Sequence, residues 1–590
     1  MEDWRRTFGR FHDLLCNRDA NRGVLTFRSR SRMAIVRDGP QPAFPRRLRW
    51  NMRPSTSRKV LALAAGGTLA LALAACGGQT DDAGQSGGDQ DAGKAPLVFG
   101  TTDAFGTVDP AGSYDNPGWE VLYNSAQTLL SIPPGGSEPK PDAAQTCEFT
   151  DPKTYTCTLR KDLTFSDGSA LTSKDVKFSF DRMLKIADPN GPSSIFADQL
   201  DSTEAKDELT AVFHLKFADA TWPYRLTTAA ASIVPDEKYP ADKLQPMSDK
   251  NIIGSGPYKV TKYDPSQQIV LDPNENYTGD KKLANGQVLV QIYKDEKSLK
   301  AAVESGEVQV AYRTLTPTLL KDLEDNGASK KVKVVRGDGT GIQYVAFNTQ
   351  KGPFAKKEVR QAAAALLDRK TIASQVYNDT VSPLYTMVPK GLPGHVENFK
   401  TVFGEQPDLT KAKSLVQQAG VTTPISAQLW YSPDHYGEAS ADMFAEIKRQ
   451  LEDGGLFKIE LKSASWEQYK KDYAVGAYDG WQLGWYPDFP DTDNYLSPFY
   501  AKNNFIGEGY GYSNPKMDEL LTQEKSATTK DERQKAFEEI QTIAADDVPV
   551  IPLWQDSMIA AVRDGVTGVE DTFDPLYTFR FWLVDTSKAQ

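Results

Sequence analysis

One stretch of this 590-residue chain, Val60–Ala75, is apolar and free of charge, and it divides the sequence into two parts with different fates. Its 16 residues fall short of a membrane span, which needs about 20. They have the proportions of the apolar segment of a secretory signal, with Arg53, Arg58 and Lys59 before it and Cys76 directly after. Everything downstream is then expected to fold in water outside the cytoplasm, which suits a mean hydropathy of -0.50. Charge divides at the same place: residues 1–76 carry 15 Lys and Arg against 5 Asp and Glu, and the rest 53 against 74. So acidic a body argues against nucleic acid, because binding there rests on neutralising phosphates. The chain has only 4 His, which argues against a multi-histidine metal centre. Neither a metal nor a cofactor is expected.

The sequence Leu73-Ala74-Ala75-Cys76 resembles a bacterial lipobox. That resemblance implies that Cys76 is lipidated and begins the mature protein, anchored to the outer face of the bacterial cytoplasmic membrane. Each buried CH₂ of an acyl chain contributes about 0.8 kcal/mol, so more than one chain anchors firmly. Met52 opens a leader of ordinary length, 52–75. Translation is therefore expected to start there, with the Arg-rich residues 1–51 a gene-start artefact. Residues 76–94 read as the lipidated Cys and a flexible, Gly/Asp-rich linker. Gly84-Gln85-Ser86-Gly87-Gly88 matches the hydrolase elbow G-x-S-x-G by chance, since that elbow needs a strand before it and a helix after it.

Past residue 95 strands alternate with helices, an α/β pattern in more than one domain. Pro96–Thr101 reads as a strand. Thr172 to Asp175 form a capping box opening a helix with Val176, Phe180, Met183 and Leu184 on one face. Lys331–Arg336 and Gln343–Asn348 read as strands around a Gly337–Gly341 loop, followed by a helix from about Lys356 to Tyr377. Further helices are expected over Ser440–Asp453, from Asn514-Pro515 onward, and over about Lys530–Asp546. Cys147 and Cys157 flank two short strands around an Asp151-Pro152-Lys153 turn. That symmetry sets them opposite each other in a hairpin, close enough for a disulfide in an oxidising compartment.

Tyr155–Arg182, YTCTLRKDLTFSDGSALTSKDVKFSFDR, resembles the signature of family 5 extracellular solute-binding proteins, the lipoproteins that serve peptide and nickel ABC importers. Further matches follow in the family's order: Thr107-Val108-Asp109-Pro110, Gly254-Ser255-Gly256-Pro257-Tyr258, Asn274-Glu275-Asn276-Tyr277, Phe347-Asn348-Thr349 and Val359-Arg360-Gln361-Ala362. The resemblance implies a periplasmic-binding-protein type of fold, two mixed-sheet lobes around a cleft plus an extra third lobe. It places lobe I at 95–130, 250–345 and 556–590, the extra lobe II at 131–249, and lobe III at 346–555. It implies a monomeric, non-enzymatic receptor that closes on a peptide or other small solute and presents it to a membrane permease. No H-E-x-x-H, P-loop, C-x-x-C or Cys/His nucleophile pair in a plausible setting contradicts this.

Within Tyr478–Leu496, the run Gly484-Trp485-Tyr486-Pro487-Asp488 is similar to a G-W-x-x-D motif of the oligopeptide- and dipeptide-binding members. By that resemblance Asp488 pairs with the ligand's α-amino group, while Gly484, Trp485 and Tyr486 line the cleft. The chemistry agrees: an ammonium taken out of water needs a paired carboxylate. Such a pair selects a peptide end without reading its side chains, and extended backbone can be held by strand addition. Asp479, Asp491 and Asp493 are rival partners, and Pro487 offers no N–H. Asp491-x-Asp493 lacks the Gly and Glu of a calcium loop. The alternatives are an oligosaccharide, stacked on the abundant Trp and Tyr, or an exported hydrolase using paired carboxylates.

Overall fold

The computed structural model describes residues 94–502, 507–527 and 529–589. The leader at 52–75, Cys76, residues 1–51 and the linker up to residue 93 lie outside the described residues.

The first strand, β1 (Leu97–Thr101), is followed by a loop and helix α1 (Asn116–Ser125), N-capped by the Asp115 side chain. A four-stranded antiparallel sheet comes next: β2 (Ala144–Asp151), β3 (Thr154–Leu159), β4 (Leu200–Asp207) and β5 (Thr210–Leu215), in the order β2-β3-β5-β4. Cys147 pairs directly with Cys157 across the β2–β3 hairpin, and the two form a disulfide with Cα atoms 4.1 Å apart. Helix α2 (Ser173–Ile186) lies between β3 and β4, opened by the expected Thr172/Asp175 capping box. It buries Val176, Phe180 and Met183, with Phe180 edge-on to Phe213 of β5 at 5.0 Å.

Two of the family-like motifs meet here. Asp109 and Arg182, both buried, form a bidentate pair at 2.6 and 2.7 Å. Arg182 also donates to the Pro240 and Lys243 carbonyls, and Asp109 accepts from the Ala111 and Gln245 amides. Both carboxylate oxygens accept two bonds each and four of the five guanidinium N–H groups donate, which is what lets two charges stay dry.

The chain then returns beside β1 with β6 (Tyr258–Asp264), β7 (Gln268–Pro273), β8 (Val288–Ile292), helix α3 (Glu296–Ser305), β9 (Val310–Tyr312) and helix α4 (Pro317–Asn326). One face of this half-sheet carries Phe99, Val290, Val310 and Tyr312 against Phe579 and Phe581. The other packs Ala311 and Ile559 against Leu299, Val303 and Leu323 of the two helices.

Next comes β10 (Val332–Phe347), one strand of 16 residues where the Gly-rich sequence suggested two strands and a loop. Its partner is β14 (Val550–Arg563). Val332–Asp338 pairs with Ser557–Arg563, Ile342–Ala346 pairs with Val550–Gln555, and the register shifts between Asp338 and Ile342. The glycines serve close approach. A Cβ on Gly339 would fall on the Asp556 carboxylate, and one on Gly341 would lie 2.6 Å from its Oδ2.

Helix α5 (Lys357–Leu366) follows. It stops 11 residues short of the expected Tyr377. Leu367 is extended, Asp368 caps a new turn by accepting from the Thr371 amide at 3.1 Å, and the Gln450 side chain takes the Asp368 N–H. Helical turns resume over Arg369–Val376, so the expected helix is interrupted at Leu367 and Asp368 by a local side chain-to-backbone bond.

The remainder includes β11 (Ile425–Tyr431), α6 (Ala439–Asp453), β12 (Phe457–Ser463), β13 (Gly480–Trp485), α7 (Pro515–Ser526) and α8 (Lys530–Asp547). Alternation along β10 sorts the layers. Val345 and Phe347 face the cluster containing α5 and α6, while Ile342, Tyr344 and Ala346 face the one containing α7 and α8. The two mixed half-sheets are thus one path, β12-β11-β13-β10-β14-β9-β1-β8-β7-β6, joined through the long β10–β14 pair.

Candidate functional site

The register brings two strand ends to one place. β13 runs out at Trp485, opposite Ile342, and β9 runs out at Tyr312, opposite Ala560. The two strand ends thus approach the Gly339–Gly341 interruption from opposite sides. Ligands of open α/β sheets bind beyond the carboxyl ends of strands.

Both run-outs carry polar side chains. After β9, Arg313 donates to Asp103 at 2.6 Å, joining the loop after β1. After β13 come Tyr486, more than half exposed, then Pro487 and the partly buried Asp488. Tyr486 stands edge-on to Tyr577 with ring centres 5.2 Å apart. Tyr577 has a positive φ of 58°, which costs energy in a bulky residue and needs surroundings that hold it. Its hydroxyl supplies them: it accepts from the Thr340 and Gly341 amides and donates to Asp556. Burial pushes the Asp556 carboxyl up to about 7, against the opposing pull of Tyr577, the Gly341 amide and Arg313.

The four acids of the Tyr478–Leu496 segment have separate fates. Asp491 is bidentate to Arg533, both contacts at 2.8 Å. Burial raises Asp493, but Lys525, Ser497 and the Glu524 side chain outweigh it and hold it at about 2. Asp479 accepts the Gln428 amide at 3.0 Å. Asp488 forms no ion pair among the described residues; its carboxylate partners are neutral. Tyr114, from the loop after β1, donates its hydroxyl to Oδ1, and Asn494 Nδ2 lies 3.5 Å from Oδ2. Burial raises the Asp488 pKa, and the Tyr114 bond, the Asn494 bond and the field of Arg225 only moderate it.

The other three residues singled out from the sequence surround this carboxylate in different ways. Gly484 spends its N–H on the Tyr436 hydroxyl at 3.0 Å, and a Cβ there would strike the Gln343 side chain. Trp485 packs edge-on to Phe499 at 5.5 Å and donates Nε1 to Asn494 Oδ1 at 3.2 Å. The same oxygen accepts the Asp488 amide at 2.8 Å. Trp485 and Asn494 therefore brace the turn that presents Asp488, and Tyr486 alone of the three offers a largely open surface. Sequence reasoning missed Tyr114, Asn494, Asp556 and Tyr577. Asn494 lies six residues from Asp488, within reach of a turn argument. Tyr114 lies 374 residues away and carries no local signal.

Comparison with known proteins adds the decisive match. The family described as bacterial extracellular solute-binding proteins, family 5 Middle, matches residues 138–507, more than half of the chain. The chain belongs to this family. Asp488 and the Cys147–Cys157 hairpin fall inside the family 5 match, whereas Tyr114, Asp556 and Tyr577 lie outside it. Among curated relatives, the probable D,D-dipeptide-binding periplasmic protein DdpA of Escherichia coli K12 is 27% identical, covering 84% of this chain and 95% of its own. Heme-binding protein A of Haemophilus influenzae is also 27% identical, covering 80% of this chain and 88% of its own. Among solved structures, the unliganded open form of the periplasmic murein tripeptide binding protein MppA superposes with a TM-score of 0.72 at 20% identity, covering 84% of this chain and 97% of that one. That structural likeness carries the family 5 fold, mixed α/β halves with an extra sheet region.

Proposed function

We propose that this family 5 protein is the substrate-binding subunit of a peptide ABC importer, and that Asp488 receives the α-ammonium of the bound peptide. One observation carries the reading. Asp488 is a desolvated carboxylate with only neutral partners, while Asp491 and Asp493 on the same segment each have a cation. A buried charge left in that condition is costly, and an incoming ammonium completes it. Oδ2, with one long contact to Asn494, is the free corner; Oδ1 stays with Tyr114. Tyr486 flanks the peptide as an exposed aromatic, and Trp485 keeps the carboxylate in place. The dipeptide-binding name of DdpA supports this ligand class.

In this reading lobe I comprises 95–130, 250–345 and 556–590, lobe II 131–249, and lobe III 346–555. Lobes I and III close by bending at Gly339–Gly341, a hinge motion. The protein acts as a monomer tethered through lipidated Cys76, hands its peptide to the permease and performs no chemistry. The test is calorimetric titration with di- to pentapeptides, each as the free amine and as its N-acetyl form. Free amines are expected to bind at least 30-fold more tightly. Equal affinities would remove Asp488 from the amine role, and peptide hydrolysis during titration would refute the receptor reading.

A further inference from the structure

A cavity of about 480 Å³ opens between the four-stranded sheet region and the C-terminal segment. No residue from 346–555 lines it, so it is separate from the surroundings of Asp488. The segment Phe573–Arg580 has two faces. Asp574, Leu576, Thr578 and Arg580 line the cavity. Phe573 and Phe579 turn the other way onto Tyr312, and Tyr577 reaches Asp556.

The cavity wall has a surplus of positive charge. Arg160 is paired with Asp280, Lys281 with Asp142 and Arg580 with Asp574. These pairs use up every carboxylate in the lining. Lys140 and Lys282 remain, with no ion pair among the described residues. Deeper in, Arg580 is only 3% exposed. Its Nη2 is held by Asp574 and the Ile132 carbonyl, but its buried Nη1 has no acceptor. A buried guanidinium donor left unpaired is expensive. The rest of the wall is mostly apolar, with hydroxyls such as those of Ser131, Thr227 and Thr578 among it: Ile132, Leu576 and Trp582 are all buried, and Lys281 Nζ lies 5.1 Å over the Trp582 ring. A volume in this range, with apolar walls and a few convergent polar groups, is the ordinary form of a small-molecule site.

We propose that this cavity is a second binding site, for a small organic anion with one carboxylate on an aryl or short alkyl body. The carboxylate would accept from Arg580 Nη1 and be drawn in by Lys140 and Lys282, and its body would lie against Ile132, Leu576 and Trp582. The surplus of cationic groups excludes amines, and the apolar walls disfavour inorganic anions.

The test is titration calorimetry at low salt with 4-phenylbutyrate and octanoate, beside 4-phenylbutanol and 4-phenylbutylamine. Saturable binding is expected for the carboxylates, at least tenfold weaker for the alcohol and absent for the amine. Arg580→Gln should weaken the carboxylates at least tenfold. Because that change disturbs a buried pair, the exposed double variant Lys140→Gln/Lys282→Gln provides a second reading, expected to weaken them three- to tenfold. Ser131→Trp, which fills the cavity, should abolish binding, and Asp488→Asn should leave it unchanged. No saturable heat with either carboxylate, equal binding of acid and alcohol, or indifference to Ser131→Trp would overturn the proposal.

Discussion

Asp109 and Asp488 stand in loops beyond β1 and β13, and both are carboxylates taken largely out of water. Asp109 is met by Arg182 through two short bonds and by two backbone amides, so nothing is left for a visitor. Asp488 is met by a tyrosine hydroxyl and a distant amide. The first arrangement pins the loop after β1 to helix α2; the second leaves one charge uncancelled. Finding an acid buried therefore says little about its role. What separates architecture from binding is whether the charge has been answered from within the chain.

The contrast can be broken most forcefully at Arg182. Arg182→Met strands Asp109 in the interior and should destabilise the fold by about 3–5 kcal/mol, the range for breaking a buried pair. Denaturant unfolding measures it, and an unchanged midpoint would erase the distinction. Asp488→Asn should do the reverse, leaving stability equal or slightly higher. It should weaken free-amine peptides by roughly 2–5 kcal/mol, read by titration calorimetry.

Acidity sharpens the comparison next. Burial pushes Glu120 up to about 8, with Arg313 opposing, and Asp556 up to about 7. Both hold protons in the folded chain that the unfolded chain has lost, so stability should fall as pH climbs from about 5 to 8. The total is on the order of a few kcal/mol. Glu120→Gln should flatten that slope, and a slope that survives in the Glu120→Gln/Asp556→Asn double variant would assign it elsewhere. Peptide affinity should move oppositely, falling as pH drops through the raised pKa of Asp488. Smallest is Tyr114→Phe. Its hydroxyl lowers the Asp488 pKa, so losing it should shift the affinity midpoint to higher pH and cost about 0.5–1.5 kcal/mol of binding at neutral pH.

Features written in a few adjacent residues were legible in the sequence. The Thr172/Asp175 box, the Asn514-Pro515 helix start and the Cys147–Cys157 hairpin each depend on neighbours within about ten positions. The continuity of β10 was not legible. Gly-Asp-Gly-Thr-Gly is turn chemistry by local rules, and only the packing of Asp556 from β14 shows why glycine is needed in a strand. The helix break at Leu367 was hidden for the same reason, since Gln450 comes from a distant helix. At the proposed site, resemblance singled out Asp488, but its lack of a cation is a fact about four side chains and their distant partners. The sequence shows the acids and not which of them are already matched.

The interruption in β10 also bears on how tightly guests would be held in the proposed closure, and not on how they would be ranked. Among the described residues only β10 and β14 carry the sheet from one half to the other, and their register shifts between Asp338 and Ile342 and again, close by, between Gln343 and Tyr344. In the proposed closure, flexing confined there demands the same mechanical work whatever molecule is enclosed. Stiffening or loosening that one joint would therefore rescale all affinities by a common factor and leave the order of preference among solutes untouched.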